Sequence, residues 1–306
     1  MPPHENVADF GEKLIKNGRI YFNPKILPTR EKDSVSLLTE TILLHNQNVA
    51  QNETTQSNIR QLVASLQYVC KQSLGTSSIQ LFGSSVNGFG NTFSDVDCYV
   101  ECTRDGSDNH LCKLLKSLRN SRHFNVIDYA RNARVPVITG LHLSTKLECD
   151  ISFSTPSLKR KDVLINSRLL AKYAALDIRI PRVCRFIKYL IKSSGLGSAR
   201  SGGLSSYSHT IMLIYFLTHC KDPLIPVLDV GQVSDISQTL PIKNFSEGDI
   251  LLDFLKFYSC EFDSANHSVD INTSATVRRK EGSTVRGEPF KSYFEIKFIS
   301  CQASEF

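Results

Sequence analysis

Residues 80–100 read Gln80-Leu81-Phe82-Gly83-Ser84-Ser85-Val86-Asn87-Gly88-Phe89-Gly90-Asn91-Thr92-Phe93-Ser94-Asp95-Val96-Asp97-Cys98-Tyr99-Val100, and this stretch decides the fold. Asp95 and Asp97 stand two apart in a strand-like run, which puts both carboxylates on one strand face, about 7 Å apart along the backbone. Val96, Cys98 and Val100 then turn the other way, into a core. Two like charges within about 4 Å repel by roughly 4 kcal/mol at an effective dielectric near 20. A site that gathers carboxylates therefore tends to hold a cation, and hard oxygen ligands suit Mg²⁺ or Mn²⁺. A pair of such ions about 3.5–4 Å apart clamps the attacking and leaving oxygens of an in-line phosphoryl displacement. Ahead of the carboxylates, Gly83 lets the backbone approach a triphosphate, and Ser84 with its neighbours offers hydroxyls and free amides to phosphate oxygens. Leu81 and Phe82 are expected to end a strand, and residues 84–87 to open a short helix. Asp-x-Asp alone fits an ordinary strand edge and Gly-Ser-Ser alone fits a loop. Their order and spacing between apolar strands carry the phosphoryl-transfer reading.

A third carboxylate is expected from a neighbouring strand. Lys146-Leu147-Glu148-Cys149-Asp150-Ile151-Ser152-Phe153 alternates, with Leu147, Cys149 and Ile151 on one face and Glu148 and Asp150 on the other. Both acids are candidates on this pattern, and a strand-end cap is the plain account of Asp150.

Taken together, Gly83-Ser84, Asp95-Val96-Asp97 and Asp150 resemble the DNA polymerase β-like nucleotidyltransferase superfamily. More narrowly, the chain is similar to the terminal uridylyltransferases and the noncanonical poly(A) polymerases. Ala133-Arg134-Val135-Pro136-Val137-Ile138, ahead of Cys149-Asp150-Ile151-Ser152-Phe153, matches that group's approach to its third aspartate, and so favours Asp150 over Glu148. The resemblance covers roughly residues 34–294.

At 306 residues and 41% hydrophobic, the chain can bury one large or two modest cores. A net charge of +6 is compatible with a polyanionic partner without demanding one. The longest apolar run, near residues 211–217, is far short of a membrane span, and the first residues carry no secretory signal, so a soluble protein is expected. Nine cysteines lie scattered without Cys-x-x-Cys, which reads as reduced core packing in a cytoplasmic or nuclear setting. Zinc is not expected, since neither Cys nor His pairs at ligand spacing.

Residues 1–30 read as a lead-in segment. Residues 34–47 repeat apolar positions at helical spacing with Ser34 as a cap, and a polar stretch over 48–57 links them to a helix carrying Ile59, Leu62, Val63, Leu66, Val69 and Cys70. Strands and helices then alternate to about Phe153, with a helix near 110–122. Beyond Ser157, residues 162–175, 181–193 and 205–220 are helical in period. The expected class is α+β: a nucleotidyltransferase palm, a mixed sheet with helices, plus a mostly helical second lobe, with the active site in the cleft between them. By resemblance, residues 31–55 pack with the second lobe, 56–157 form the catalytic palm, and 158–306 form the helical central domain that reads the base.

Lys188 and Lys192 are four apart and share a helix face opposite Val183, Phe186, Ile187, Leu190 and Ile191. Such a pair alone is a solvated face; the resemblance implies lysines presented to the β- and γ-phosphates. Gly202-Gly203-Leu204-Ser205-Ser206-Tyr207 precedes an apolar helix, and the resemblance implies Tyr207 stacking on the incoming base and Ser206 binding phosphate. Stacking supports nucleotide binding but barely distinguishes bases. Asn166 reads as opening a helix, and by resemblance reaches the ribose hydroxyl. In Glu288-Pro289-Phe290-Lys291-Ser292-Tyr293-Phe294, the first three residues fit the family's base-reading segment. Lys291 replaces its second acid, and Phe294 stands where uridine-preferring members often carry histidine. The chain ends soon after, at Phe306, so a product-binding tail is expected to be lacking.

No RNA-recognition module is evident. Lys159-Arg160-Lys161, Arg278-Arg279-Lys280 and the Lys113, Lys116, Arg119 and Arg122 face are the basic candidates for weak, salt-sensitive RNA contact, with a separate RNA-binding protein supplying targeting. The resemblance thus implies template-independent addition of UMP from UTP to an RNA 3′ end, with two Mg²⁺ or Mn²⁺ ions held by Asp95, Asp97 and Asp150. Addition of AMP from ATP, and a catalytically silent RNA-binding relative, stay open beside it.

Overall fold

The structure is a computed structural model that describes residues 15–16, 19–20, 32–75, 77–102, 109–130, 136–154, 162–195, 204–228, 245–273, 275–278 and 295–296. A two-residue hairpin, β1 (Ile15–Lys16) with β2 (Arg19–Ile20), precedes two long helices, α1 (Lys32–Val49) and α2 (Glu53–Leu74). The helix over α1 starts two residues before Ser34, so Ser34 is not its cap. The expected polar linker over 48–57 shrinks likewise. The Asn52 side chain accepts a hydrogen bond from the Thr55 amide and starts α2 there, so residues 53–57 form its first, largely solvated turn.

Five strands follow: β3 (Ser77–Phe82), β4 (Val96–Cys102), β5 (Phe124–Ala130), β6 (Val137–His142) and β7 (Glu148–Ser154). They form one mixed sheet in the order β3-β4-β7-β6-β5, in which only the central pair, β4 and β7, runs parallel. Between β4 and β5 lies α3 (Asn109–Asn120). The period-two alternation holds: Val96, Cys98, Val100, Cys149 and Ile151 are fully buried on one face. Ile59, Leu62, Leu66, Val69, Cys70 and Leu74 from α2, with Leu114 and Leu118 from α3, cover that face and form one apolar cluster. The opposite face carries the carboxylates.

A second apolar cluster is helical. It joins α4 (Asp162–Leu176), α5 (Arg179–Ser193), α6 (Ser206–His219) and α7 (Glu247–Lys256), followed by the short strands β8 (His267–Val269), β9 (Val277–Arg278) and β10 (Glu295–Ile296). Residues 209–218 of α6 are all buried, as expected of a helix apolar on every side. Ile42 of α1 belongs to this second cluster, and so does Phe89 from the loop between β3 and β4. Among the described residues, no helix is long and apolar enough to cross a membrane.

Candidate active site

β3 ends at Phe82, and the chain turns through a single 3-10 turn, Gly83–Ser85, shorter than the helix expected over 84–87. Gly83 sits at φ +67, in the region open to glycine, and a Cβ there would lie 2.0 Å from Asp97 Oδ2. The Asp97 carboxylate is thus folded against the turn, where the Ser84 backbone N–H donates to it. The Gly83 N–H itself donates to Ser167 Oγ at 2.8 Å, which ties the turn to α4.

Asp97 and Asp150 are direct register partners on the parallel strands β4 and β7, so their side chains project from the same sheet face side by side. Thr139 on β6 faces Asp150 in the adjacent register and donates to its Oδ1 at 2.7 Å. Asp95 lies one residue ahead of β4 and is exposed. The electrostatics bind the three together. Burial, then Asp150 and Asp95, push the Asp97 carboxyl up to about 7. Partial desolvation by the surrounding loop, then Asp150 and Glu148, raise that of Asp95, against the pull of Lys192. Glu148 is therefore a neighbour of the site, whereas Asp150 stands level with Asp97.

The donor set fits a hard divalent cation: carboxylate oxygens only, desolvated and crowded enough that Asp95 and Asp97 hold protons more tightly than usual. Among the described residues, however, no group of three or more His, Cys, Asp or Glu side chains is gathered closely enough to hold a metal ion. The sequence pattern alone would have Asp95, Asp97 and Asp150 converge on one point. Asp97 is instead turned back over Gly83, and Asp95 sits outside the strand.

From the helical side, α5 approaches the same loop. Lys192 is exposed and acts electrostatically on Asp95. Lys188 does not stand free: its Nζ donates to the Phe89 carbonyl at 3.3 Å and lies 5.9 Å from the centre of the Phe89 ring. Ser206 is exposed at the start of α6, and Tyr207 packs partly buried against the helical cluster. Asn166 departs from expectation, for it lies in the second turn of α4, which begins at Asp162, and so does not open the helix. The basic face of Lys113, Lys116, Arg119 and Arg122 belongs to α3 and the turn after it, on the sheet face away from the carboxylates. Residues 159–161, 202–203, 279–280 and 288–294 lie outside the described residues. A groove of about 380 Å³ between α2 and the edge strand β3, lined by Gln56, Ile59, Val63 and Leu81 among others, includes none of the candidate site residues.

Three residues of the site were not singled out from the sequence: Thr139, Ser167 and Arg185. Arg185 donates through Nε to the Gly90 carbonyl at 2.8 Å, through Nη2 to the Gly88 carbonyl at 2.9 Å, and through Nη1 to Asn46 Oδ1 at 2.9 Å. No local pattern marks these roles; only the alternation of β6 put Thr139 on the carboxylate face.

A mixed sheet with paired carboxylates beside a glycine turn, packed against a helical body, defines a nucleotidyltransferase fold. Two solved structures share it, each at a TM-score of 0.70. The Cid1 poly(U) polymerase with MgGTP bound is 21% identical and covers 85% of this chain and 84% of its own. The GLD-2/RNP-8 complex structure is 22% identical and covers 80% of this chain and 81% of that one. The family model for the mitochondrial-like poly(A) RNA polymerase central palm domain matches residues 38–175. Human terminal uridylyltransferase 7 is 31% identical over 276 residues, 81% of this chain, and Xenopus laevis poly(A) RNA polymerase GLD2-B is 26% identical over 240 residues, 71% of it. The chain spans 17% and 46% of those two relatives' own lengths. Residues 38–175 thus match a poly(A) RNA polymerase palm family, and the chain over most of its length is similar to terminal uridylyltransferases and poly(A) RNA polymerases.

Proposed function

We propose that the chain is a template-independent RNA terminal nucleotidyltransferase that adds UMP from UTP to RNA 3′ ends and releases pyrophosphate. The observation that carries this reading is the side-by-side placement of Asp97 and Asp150 on parallel strands next to the Gly83 turn. UTP is placed ahead of ATP on the general resemblance to the uridylyltransferases, not on a diagnostic residue of the site. The same reading divides the chain into a lead-in over 1–30, a helix over 31–55 packed with the second lobe, a palm over 56–157 and a base-recognising helical domain over 158–306.

In this mechanism Asp95, Asp97 and Asp150 are the residues that hold Mg²⁺ or Mn²⁺. When bound, such ions stabilise charge on the attacking 3′-oxygen and on the leaving pyrophosphate. Asp150, oriented by Thr139, accepts the proton of the RNA 3′-hydroxyl or serves as a ligand to that centre. The 3′-oxygen forms a bond to the α-phosphorus as the bond from that phosphorus to the α,β-bridging oxygen breaks. Gly83 lets the backbone come close to the triphosphate, Ser84 and Ser206 bind phosphate oxygens, and Lys188 and Lys192 neutralise the outer phosphates. Tyr207 stacks on the base and Asn166 contacts the ribose. The setting is cytoplasmic, with the nucleus as the alternative, and a separate RNA-binding protein supplies the target.

Labelled RNA incubated with each of the four nucleoside triphosphates, with Mg²⁺ or Mn²⁺, tests the proposal. UTP is expected to give the longest extension. Preference for ATP would make the chain a poly(A) polymerase. Equally blank lanes for wild type and for the Asp95→Ala/Asp97→Ala variant would leave a catalytically silent RNA-binding protein.

A further inference from the structure

We propose that Arg185 is a positioning residue that sets the carboxylate loop in register with the lysine face of α5, with Asn46 as its backstop. This rests on the function proposed above and adds to it a residue outside the expected site.

The loop from Gly83 to Asp95 joins the phosphate turn to the carboxylate strand, so its path fixes where Asp95 and Asp97 stand. Two of its carbonyls, those of Gly88 and Gly90, converge on one guanidinium at 2.9 Å and 2.8 Å. The third arm of the fork reaches Asn46 Oδ1 at 2.9 Å. Asn46 is itself buried, and its Nδ2 donates to the Ile42 carbonyl at 2.8 Å and the Arg182 carbonyl at 3.0 Å. One planar group thereby joins α1, α5 and the loop. An ammonium could not span the same three acceptors with fixed directions.

The loop has no slack to settle elsewhere. A Cβ at Gly90 would lie 2.3 Å from the Ser84 carbonyl oxygen, and one at Gly88 would lie 2.9 Å from the Ala174 Cβ, with Gly88 at φ +81. Phe89, between them, is buried in the helical cluster. The loop is also laid along a row of cations. Arg185, Lys188 and Lys192 are three and four residues apart, hence on one helix face. They meet in turn Gly88 and Gly90, Phe89, and Asp95.

The acceptors of Arg185 are all neutral, and among the described residues no carboxylate forms an ion pair with it. An arginine drawn partly out of water is ordinarily paired with a carboxylate. The half-buried Arg185 instead bonds two backbone carbonyls and the Asn46 amide oxygen beside the candidate triphosphate site. Its displacement would move the carboxylates relative to Lys192, and a shift of about 1 Å at reacting groups can cost on the order of 10²-fold in rate.

The test compares wild type with Arg185→Lys and Asn46→Ala in three measurements: steady-state extension against nucleoside triphosphate concentration, thermal melting, and amide hydrogen exchange over residues 86–95. Arg185→Lys is expected to lower kcat by about tenfold or more, with KM for the nucleotide within about threefold of wild type and faster exchange over 86–95. A kcat within twofold of wild type, or a fall that only tracks the loss of folded protein, overturns the proposal. Should Arg185→Lys fail to fold, Asn46→Ala decides: it keeps the two loop bonds, so kcat should fall less but with KM again held, and an unchanged kcat overturns the proposal. If wild type extends RNA with none of the four nucleotides, the functional reading fails by itself. Exchange over 86–95 then judges the clamp, and unaltered protection in Arg185→Lys overturns it.

Discussion

Asp97 carries the electrostatic cost of the site in its own proton affinity, since burial and two neighbouring acids push its carboxyl up to about 7. The folded protein therefore keeps a proton there that the unfolded chain, near its ordinary value of about 4, has given up. Stability from this group is full below pH of about 4 and is lost as pH rises through about 7. Asp97→Asn removes the charge and keeps an oxygen for the Ser84 amide. It is expected to raise the melting temperature by a few degrees at pH 8 without added metal and to change little at pH 4; Mg²⁺ should stabilise wild type at pH 8 more than the variant. A variant melting below wild type at pH 8 would contradict this. The aspartates were legible in the sequence because a strand's period of two fixes faces without tertiary knowledge. Ser167, Thr139 and Arg185 were not, because each role is defined by a distant partner; the Ser167–Gly83 bond spans 84 positions. Lys188 shows the converse, a side chain whose face was readable and whose contact with the Phe89 carbonyl was not.

α5 works as an element with two sides. Val183, Cys184, Phe186 and Ile187 are buried in the helical cluster, which holds the cationic side at a fixed height over the loop. Its lysines are not equivalent: Lys188 is engaged with Phe89, whereas Lys192 acts on Asp95. Lys192→Ala is therefore expected to raise KM for the nucleoside triphosphate by about tenfold, the size of one charge-assisted contact of about 1.4 kcal/mol. Lys188→Ala should raise KM less and lower stability instead. Initial rates against nucleotide concentration separate the two, and the reverse order would refute the assignment. Periodicity located this helix because its apolar stripe is continuous. It misjudged the start of α2, where polar residues 53–57 read as linker although the Asn52 cap had already begun the helix. Asn166 lies inside the helix that the periodicity over 162–175 already implies, since α4 begins at Asp162, one turn earlier.

Over the whole molecule, the two apolar clusters do not follow the order of the chain. α1 comes first, yet Ile42 belongs with α4 to α7, and the Gly248 amide donates to Thr39 Oγ1 at 3.1 Å across 209 positions. Gly248 is pressed so closely on α1 that a Cβ would lie 2.7 Å from both Thr39 Oγ1 and the Val35 carbonyl oxygen. During synthesis, then, the sheet and its covering helices can be completed while α1 still waits for mates about 140 to 200 residues away. A ribosome-released fragment ending at residue 160 is expected to keep a cooperative sheet and to bind a hydrophobic dye along the orphaned side of α1, with the binding abolished by Ile42→Ser. Full-length protein should show no such binding, and a fragment that melts without cooperativity would contradict the idea. An early helix left unmatched for that long is a foothold for chaperones, and it ties the maturation of this chain to helices made well after its sheet.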